Sequence, residues 1–82
     1  MNEIKAKVYK VILEYTRGKT VEDLEKAVEF KDVELDSVSV VSILDEVEDE
    51  LGIEFVEVPS MTISLPDFVA LVEKLVAEKN AG

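Results

Sequence analysis

Apolar residues recur every three or four positions in three segments of the chain, and this spacing places them on one face of an α-helix. The segments run over about residues 3–16, 37–51 and 65–78. Gly52 follows the second segment, where a glycine can adopt the left-handed conformation that ends a helix. The pattern therefore predicts three amphipathic helices, each with one apolar face to bury.

Two connecting stretches carry weaker patterns. Thr20 stands three residues before Asp23, the spacing of a helix capping box, and predicts a short helix near residues 21–29. Residues 53–63 are rich in β-branched side chains and contain a proline, which favours an extended segment or one distorted turn over a regular helix. Nothing predicts a sheet. We expect an all-α fold, a small bundle of three to four helices in a single domain over residues 1–82.

The chain contains no cysteine and no histidine. It therefore lacks disulfides, thiolate metal ligands and the side chain that most often serves as a general base near neutral pH. We expect no catalytic centre and no metal site, so the protein is predicted not to be an enzyme. No apolar run approaches the roughly 18–20 residues that span a bilayer, and the mixed-charge N-terminal segment does not resemble a signal peptide. We expect a cytoplasmic protein without membrane insertion.

Acidic residues outnumber basic ones by nineteen to nine, and they are unevenly distributed. Between Lys31 and Lys74 there are twelve aspartates or glutamates and no basic residue. Such a surface repels nucleic-acid phosphates and attracts basic protein surfaces. We expect a monomer that binds basic partner proteins and does not bind nucleic acid. The alternative is that the acidity serves solubility alone.

The second predicted helix carries the densest acidity. Five carboxylates occupy six positions opposite its apolar stripe: Asp45, Glu46, Glu48, Asp49 and Glu50. Val38 and Val41 lie off that stripe, on the side of the carboxylates, and exposed apolar residues among charges indicate a contact surface. The alternative is that they are scattered surface valines, which are common. We predict a partner-binding surface that consists of Val38, Val41, Asp45, Glu48 and Asp49.

Asp36 and Ser37 stand at the start of this acidic helix. Both residue types are favoured as helix N-caps, so a cap is the simplest interpretation. A hydroxyl at a helix N-terminus also suits a phosphate, because unpaired N–H groups and the helix dipole favour an anion there. Ser39 and Ser42 lie farther into the helix, where we expect neither first-turn N–H groups nor an aspartate neighbour. Of these three serines, Ser37 is the one placed where a helix N-terminus suits a phosphate.

Residues 30–51 resemble the core motif of acyl carrier proteins and related phosphopantetheine-binding domains. In that motif an Asp-Ser-hydrophobic triplet, here residues 36–38, opens the second helix of a four-helix bundle. The family's apolar positions after the serine recur without a gap, and its acidic pair late in the helix matches Glu48 and Asp49. The resemblance extends more loosely to the first and last predicted helices.

The resemblance implies an acyl-carrier-type bundle whose third helix, within residues 53–63, is here short or irregular. It implies that a phosphopantetheinyl transferase moves 4′-phosphopantetheine from coenzyme A onto Ser37, with Asp36 as the adjacent motif residue. The thiol of that arm would hold acyl or aminoacyl groups as thioesters for separate acyl-transferring or ligating enzymes with basic docking surfaces. Such pathways make fatty acids and other lipids, polyketides or related products. In these carriers a fatty acyl chain can lie between the helices, whereas a short or aminoacyl cargo does not need to.

The chain also departs from the family pattern. Many members have a glycine shortly before the Asp-Ser pair, where residues 32–35 of this sequence read Asp-Val-Glu-Leu. The residue after the serine is usually leucine and is here the smaller Val38, and the third-helix region is mostly apolar rather than acidic. These differences indicate a specialised carrier rather than the housekeeping carrier of fatty acid synthesis.

Two other functions fit parts of the sequence. An acidic helical interaction module without a prosthetic group explains the charge and the two valines, but it leaves the Asp-Ser register as coincidence. A carboxylate-based enzyme or calcium site would use pairs such as Glu46 and Glu50. The chain has no twelve-residue calcium loop, however, and an open helix face lacks the dry pocket that acid–base catalysis needs. The carrier is the function that we expect.

Overall fold

The computed structural model describes residues 3–56, 58–60 and 62–81. These residues form four α-helices and one short 3₁₀ helix, in the order α1 (Glu3–Glu14), α2 (Val21–Lys26), the 3₁₀ helix (Phe30–Val33), α3 (Ser37–Leu51) and α4 (Leu65–Ala81). The described residues contain no strand, and one isolated antiparallel bridge joins Glu29 to Ser64. None of the described helices is long and apolar enough to cross a membrane. The predicted all-α fold is confirmed.

The helix boundaries follow the sequence patterns closely. Helix α3 spans the predicted residues, and Gly52 ends it with a φ of 64°. Helix α1 ends before the predicted Thr16, because its last turn tightens into bonds that span three residues instead of four. Helix α2 begins after Thr20, whose side chain and backbone both bond to Asp23 as the capping box predicts. The stretch predicted as one helix near 21–29 is shorter, since the chain leaves α2 and forms the 3₁₀ helix separately.

The described residues of the loop 53–63 are not helical. Ile53 and Phe55 point inward and are buried, whereas Val56 and Val58 are exposed. As the sequence predicted, the described part is therefore not a regular helix, and near its end the N–H of Ile63 donates to the carbonyl of Ser60 at 3.0 Å in a turn. Residues 57 and 61 lie outside the described residues.

A single hydrophobic core joins the helices, the 3₁₀ helix and the loop. Its largest side chains include three rings, one from each of three elements: Phe30 in the 3₁₀ helix, Phe55 in the loop and Phe68 in the first turn of α4. Phe68 stacks on Phe55 at a centroid distance of 5.9 Å and meets Phe30 edge-on at 5.4 Å. We call these three residues the phenylalanine cluster. Such aromatic pairs stabilise beyond the area that they bury.

Helices α3 and α4 begin at the same end of the bundle. The N–H of Leu65, the first residue of α4, donates to the carbonyl of Val28 at 2.7 Å, just before the 3₁₀ helix that leads to α3. At the other end, Lys79 Nζ donates to the carbonyl of Leu51, the last residue of α3, at 3.4 Å. The loop 53–63 therefore runs back from the end of α3 toward the end where α3 begins.

Candidate modification site

Ser37 is the first residue of α3, and it is exposed. The N-cap is Asp36, whose backbone is extended and whose carboxylate Oδ1 accepts the N–H of Ser39 at 2.8 Å. The sequence did not decide whether Asp36 or Ser37 is the N-cap, and in the structure the N-cap is Asp36. The Ser37 hydroxyl therefore lies at the solvent-facing start of the helix, while its neighbour fixes the first turn.

The carboxylate of Asp36 is stabilised in its ionised form. The N–H of Ser39, and after it the Ser39 hydroxyl, hold the pKa of Asp36 below its ordinary value, because hydrogen bonds to a carboxylate favour its charged form. Ser37 therefore lies next to an ionised carboxylate that is hydrogen-bonded to the first turn of the helix.

Ser39 corrects one expectation. The sequence placed it inside the helix, away from first-turn N–H groups and from any aspartate. In the structure Ser39 is in the first turn, partly buried, and its N–H bonds directly to Asp36. The two serines near the helix start thus differ: Ser37 is exposed, and Ser39 is engaged in the cap.

The segment before Ser37 is shaped by the 3₁₀ helix. Asp32 Oδ2 accepts the N–H groups of Val28 and Glu29, at 3.0 and 2.9 Å, which fixes the start of that helix. Glu34 ends it in the left-handed conformation, with a φ of 62°. The N–H of Leu35 then donates to the carbonyl of the first residue of the 3₁₀ helix at 3.2 Å. This compact turn delivers Asp36 and Ser37 to the start of α3.

Glu34, in the segment where many family members have a glycine, adopts the left-handed backbone conformation that glycine favours. A non-glycine residue with positive φ is uncommon, because its Cβ approaches the backbone, whereas glycine adopts this conformation without that clash. The sequence departs from the family at the approach to the serine, yet the backbone there still takes a glycine-like turn. No sequence signal predicts a glutamate in this conformation.

The residues predicted to bind partners are mostly exposed. Val38 is 73% exposed and Val41 is 54% exposed, so neither packs into the core. Asp45 and Asp49 are also exposed. The structure therefore places four of the five predicted residues at the surface of α3, and the partner interface itself stays a prediction.

Glu48 differs from the other four. It is partly buried, and its Oε2 accepts the N–H of Phe55 at 2.7 Å. This bond ties the loop 53–63 to the second half of α3. Sequence reasoning missed it, because the bond depends on how the loop folds back and no local pattern encodes that.

Acidic side chains meet between α1 and α3. The Tyr15 hydroxyl lies 3.3 Å from Glu46 Oε1, to which it donates. A hydrogen bond with Glu46 and the negative charge of Glu46 raise the pKa of Glu14. A polar cavity of about 270 Å³ opens here, lined by Tyr15, Ser42, Asp45, Glu46 and Asp49.

A second, more apolar cavity of about 580 Å³ lies between α1 and α2. Its lining includes Tyr9, Leu13 and Val21. Neither of the two cavities is lined by Ser37 or by the phenylalanine cluster. Among the residues that the structure describes, no group of three or more acidic side chains is arranged to hold a metal ion.

The fold and the site together are those of a small all-α bundle that presents an exposed serine at the start of an acidic helix, where a group can be attached to the hydroxyl.

The comparison with protein families identifies the group. The family model described as phosphopantetheine attachment site matches residues 8–75, and the chain belongs to this family. Searches of curated proteins and of solved structures gave no match.

Membership of this family confirms the predicted acyl-carrier-type domain. Domains of this family are non-catalytic carriers that hold 4′-phosphopantetheine covalently and present substrates to other enzymes. They interact with enzymes that include phosphopantetheinyl transferase. The family therefore favours the carrier over an interaction module without a prosthetic group.

Proposed function

We propose that Ser37 is the residue to which the 4′-phosphopantetheine arm is attached. The observation that carries this proposal is the exposure of Ser37 at the first residue of α3, where an enzyme can approach its hydroxyl. Ser39 and Ser42 are both partly buried, and the N–H of Ser39 is bound to the Asp36 carboxylate. Exposure thus favours Ser37 over the two serines that follow it in α3.

The surroundings of Ser37 fit a phosphodiester. The N-terminus of a helix carries a partial positive charge from its aligned peptide dipoles, which favours an anion at this position. Asp36 adds a negative charge nearby, but its carboxylate is turned to the Ser39 N–H. We assign Asp36 the role of a positioning residue, which holds the first turn so that the Ser37 hydroxyl stays at the surface.

The attachment reaction needs no catalytic group from this chain. The bond between Ser37 Oγ and phosphorus forms as the pyrophosphate linkage of coenzyme A breaks. The adenosine bisphosphate half leaves, and the hydroxyl proton passes to the transferase or to solvent. When bound, the arm supplies a thiol that holds acyl or aminoacyl groups as thioesters.

We infer further that α3 is the surface that partner enzymes recognise. Val38 and Val41 offer apolar contacts, and Asp45 and Asp49 offer negative charge that attracts a basic surface. The partners in this proposal are the transferase and the acyl-transferring or ligating enzymes of lipid, polyketide or related biosynthesis. The net charge of −10 opposes self-association, which supports a monomeric carrier in one domain.

Mass spectrometry tests the attachment residue. The protein is incubated with coenzyme A and a promiscuous phosphopantetheinyl transferase, and we expect the wild type to gain one phosphopantetheine group. Ser37→Ala is expected to gain none. Ser39→Ala is the matched control, because it removes a neighbouring hydroxyl and leaves its backbone N–H for the cap, and we expect it to be modified. Modification of Ser37→Ala would show that another residue accepts the arm.

A further inference from the structure

The phenylalanine cluster extends from the end of the bundle where α3 and α4 begin, the position of Phe30 and Phe68, toward the second half of α3, to which Phe55 is bonded. Phe30 and Phe68 are 1% and 0% exposed, and Phe55 is 9% exposed. The three rings contact one another in sequence, from the 3₁₀ helix through the start of α4 to the loop. Because protein interiors are close-packed, rings buried to this extent leave no room for an added group unless a neighbouring side chain moves.

The cluster is joined to the segment that presents Ser37. The carbonyl of Phe30 accepts the N–H of Leu35, which lies two residues before Ser37. Leu35 is buried, and Val40, one turn into α3, is buried as well. Both belong to the same continuous core as the three rings. The space directly inside the serine segment is thus occupied by protein side chains.

The loop 53–63 covers the phenylalanine cluster on the side that faces the second half of α3. The bond from the Phe55 N–H to Glu48 fixes the loop to α3, and the Phe55 ring lies stacked on Phe68. An acyl chain that entered between α3 and the loop would have to displace this ring and strain the Glu48 bond. Overpacking of this kind costs free energy.

We propose that this carrier presents its thioester-bound cargo to solvent instead of enclosing it, and that its substrates are short or polar acyl groups, aminoacyl groups included, rather than long alkyl chains. The inference rests on the proposed attachment at Ser37. Each methylene of a long chain left in water carries a hydration penalty. A short or polar group carries little penalty and needs no cavity.

The test compares cargo of different lengths on the same serine. A promiscuous transferase loads the protein from acetyl- and octanoyl-coenzyme A, and mass spectrometry verifies the adduct on Ser37. We expect the acetyl and octanoyl forms to melt within about 1 °C of each other, with unchanged amide NMR signals for the phenylalanine cluster. An enclosed octanoyl chain would raise the melting temperature by about 4 °C or more, which would overturn the proposal.

The amide spectra also report where a chain goes if it is enclosed. Octanoyl-dependent changes at Leu13 and Val21 would place the chain in the cavity between α1 and α2, and they would equally overturn the proposal. A protein that does not load at all would overturn the attachment at Ser37 instead. Mass spectrometry separates this result from a loaded protein that responds to chain length.

A pair of loop variants tests whether the phenylalanine cluster is what prevents an acyl chain from entering the interior. Phe55→Ala removes a ring and leaves an apolar cavity, which can accept an apolar ligand. We expect its octanoyl form to melt several degrees above its acetyl form. Val58→Ala changes an exposed residue of the same loop and should behave as the wild type, and Phe55→Leu serves if Phe55→Ala does not fold. Equal melting temperatures for both forms of the Phe55 variant would show that the ring is not the barrier.

Discussion

The two halves of α3 differ in sequence and in what their side chains do: the first half, residues 37–44, contains no acidic residue, and all five carboxylates lie in the second half, residues 45–51. In the first half, Ser37 and Val38 are exposed and point away from the core. In the second half, Glu48 accepts the N–H of Phe55, and Glu46 accepts the hydroxyl of Tyr15, the residue that follows α1. Ser37 and Val38 in the first half face solvent, whereas Glu46 and Glu48 in the second half bond to neighbouring segments, although Asp45 and Asp49 of that half remain exposed.

Within the second half, a further difference separates two acidic residues that the charge pattern groups together. The sequence places Glu48 and Asp49 in one docking face, because both are acidic and adjacent. In the structure Asp49 is exposed, while Glu48 is partly buried and bonded to the loop. An acidic helix of this kind therefore contains structural carboxylates as well as recognition carboxylates.

The largest expected effect on stability comes from breaking the Glu48 bond. We expect Glu48→Ala to lower the free energy of unfolding by roughly 1.5–3 kcal/mol, the range for a hydrogen bond to a charged group, because the Phe55 N–H loses its acceptor. Asp49→Ala, a change of the same type on the next residue, should stay within about 0.5 kcal/mol. Urea denaturation measures both. Equal losses in the two variants would mean that the second half of α3 is not divided as we describe.

The next effect concerns recognition. We expect Asp45→Lys combined with Asp49→Lys to slow modification by the transferase, by up to about tenfold at low ionic strength and by less at high salt, because exposed charges steer basic partners. The readout is the kcat/KM for loading at two salt concentrations.

The matched control applies the same change in charge elsewhere. Glu25 in α2 and Glu78 in α4 are both exposed, and their joint replacement by lysine removes as much negative charge. If this pair slowed loading as much as the α3 pair, overall charge would explain the effect and α3 would not be the docking face.

A smaller effect is expected where the cap and the modified hydroxyl are neighbours. Asp36→Ala should lower the melting temperature by roughly 4–8 °C, as for a lost N-cap. Ser37→Ala should change it little, because Ser37 makes no cap bond. Asp36→Asn keeps an acceptor for the Ser39 N–H and should recover most of the loss.

The same variants have a defined pH dependence. The pKa of Asp36 is lowered in the fold by the Ser39 N–H, so its stabilising effect is present above the ordinary pKa of an aspartate. The effect is lost as the pH falls through the lowered pKa of the folded state. The difference between wild type and Asp36→Asn should therefore narrow on acidification, and a constant difference would argue against an ionised cap.

Much of the fold was predictable because the helices are encoded locally. The spacing of apolar residues gave the full extent of α3, and the Thr20–Asp23 pair gave the start of α2. The exposure of Val38 and Val41 also followed from helical geometry alone. These features depend only on residues a few positions apart.

The parts that sequence reasoning missed depend on distant contacts or on unusual backbone. The bond between Glu48 and Phe55 forms only because the loop folds back along α3. The left-handed conformation of Glu34 is disfavoured by local preference, but Val33 and Leu35 on either side of it are buried and constrain the chain there. The prediction for Ser39 was wrong because the N-cap is Asp36, which places Ser39 in the first turn of α3 with its N–H bound to the Asp36 carboxylate.

The smallest expected effect comes from the contact of α1 with the second half of α3. Hydrogen bonding with Glu46 and the negative charges of Glu46 and Glu50 raise the pKa of Glu14, while Lys10 lowers it. A raised pKa in the fold means that ionised Glu14 is disfavoured there, so the fold is less stable above that pKa than below it. Glu14→Gln should therefore raise the melting temperature slightly at neutral pH.

This gain should depend on pH in one direction. Below the ordinary pKa of a glutamate, Glu14 is protonated in both the folded and unfolded states, and the variant should have no advantage. Glu54→Gln, on an exposed loop residue, controls for the general loss of one negative charge. Melting curves at neutral and acidic pH measure both variants. If both variants gained equally in melting temperature at neutral pH, the gain would come from the lower net charge. The contact between Glu14 and Glu46 would then not destabilise the fold.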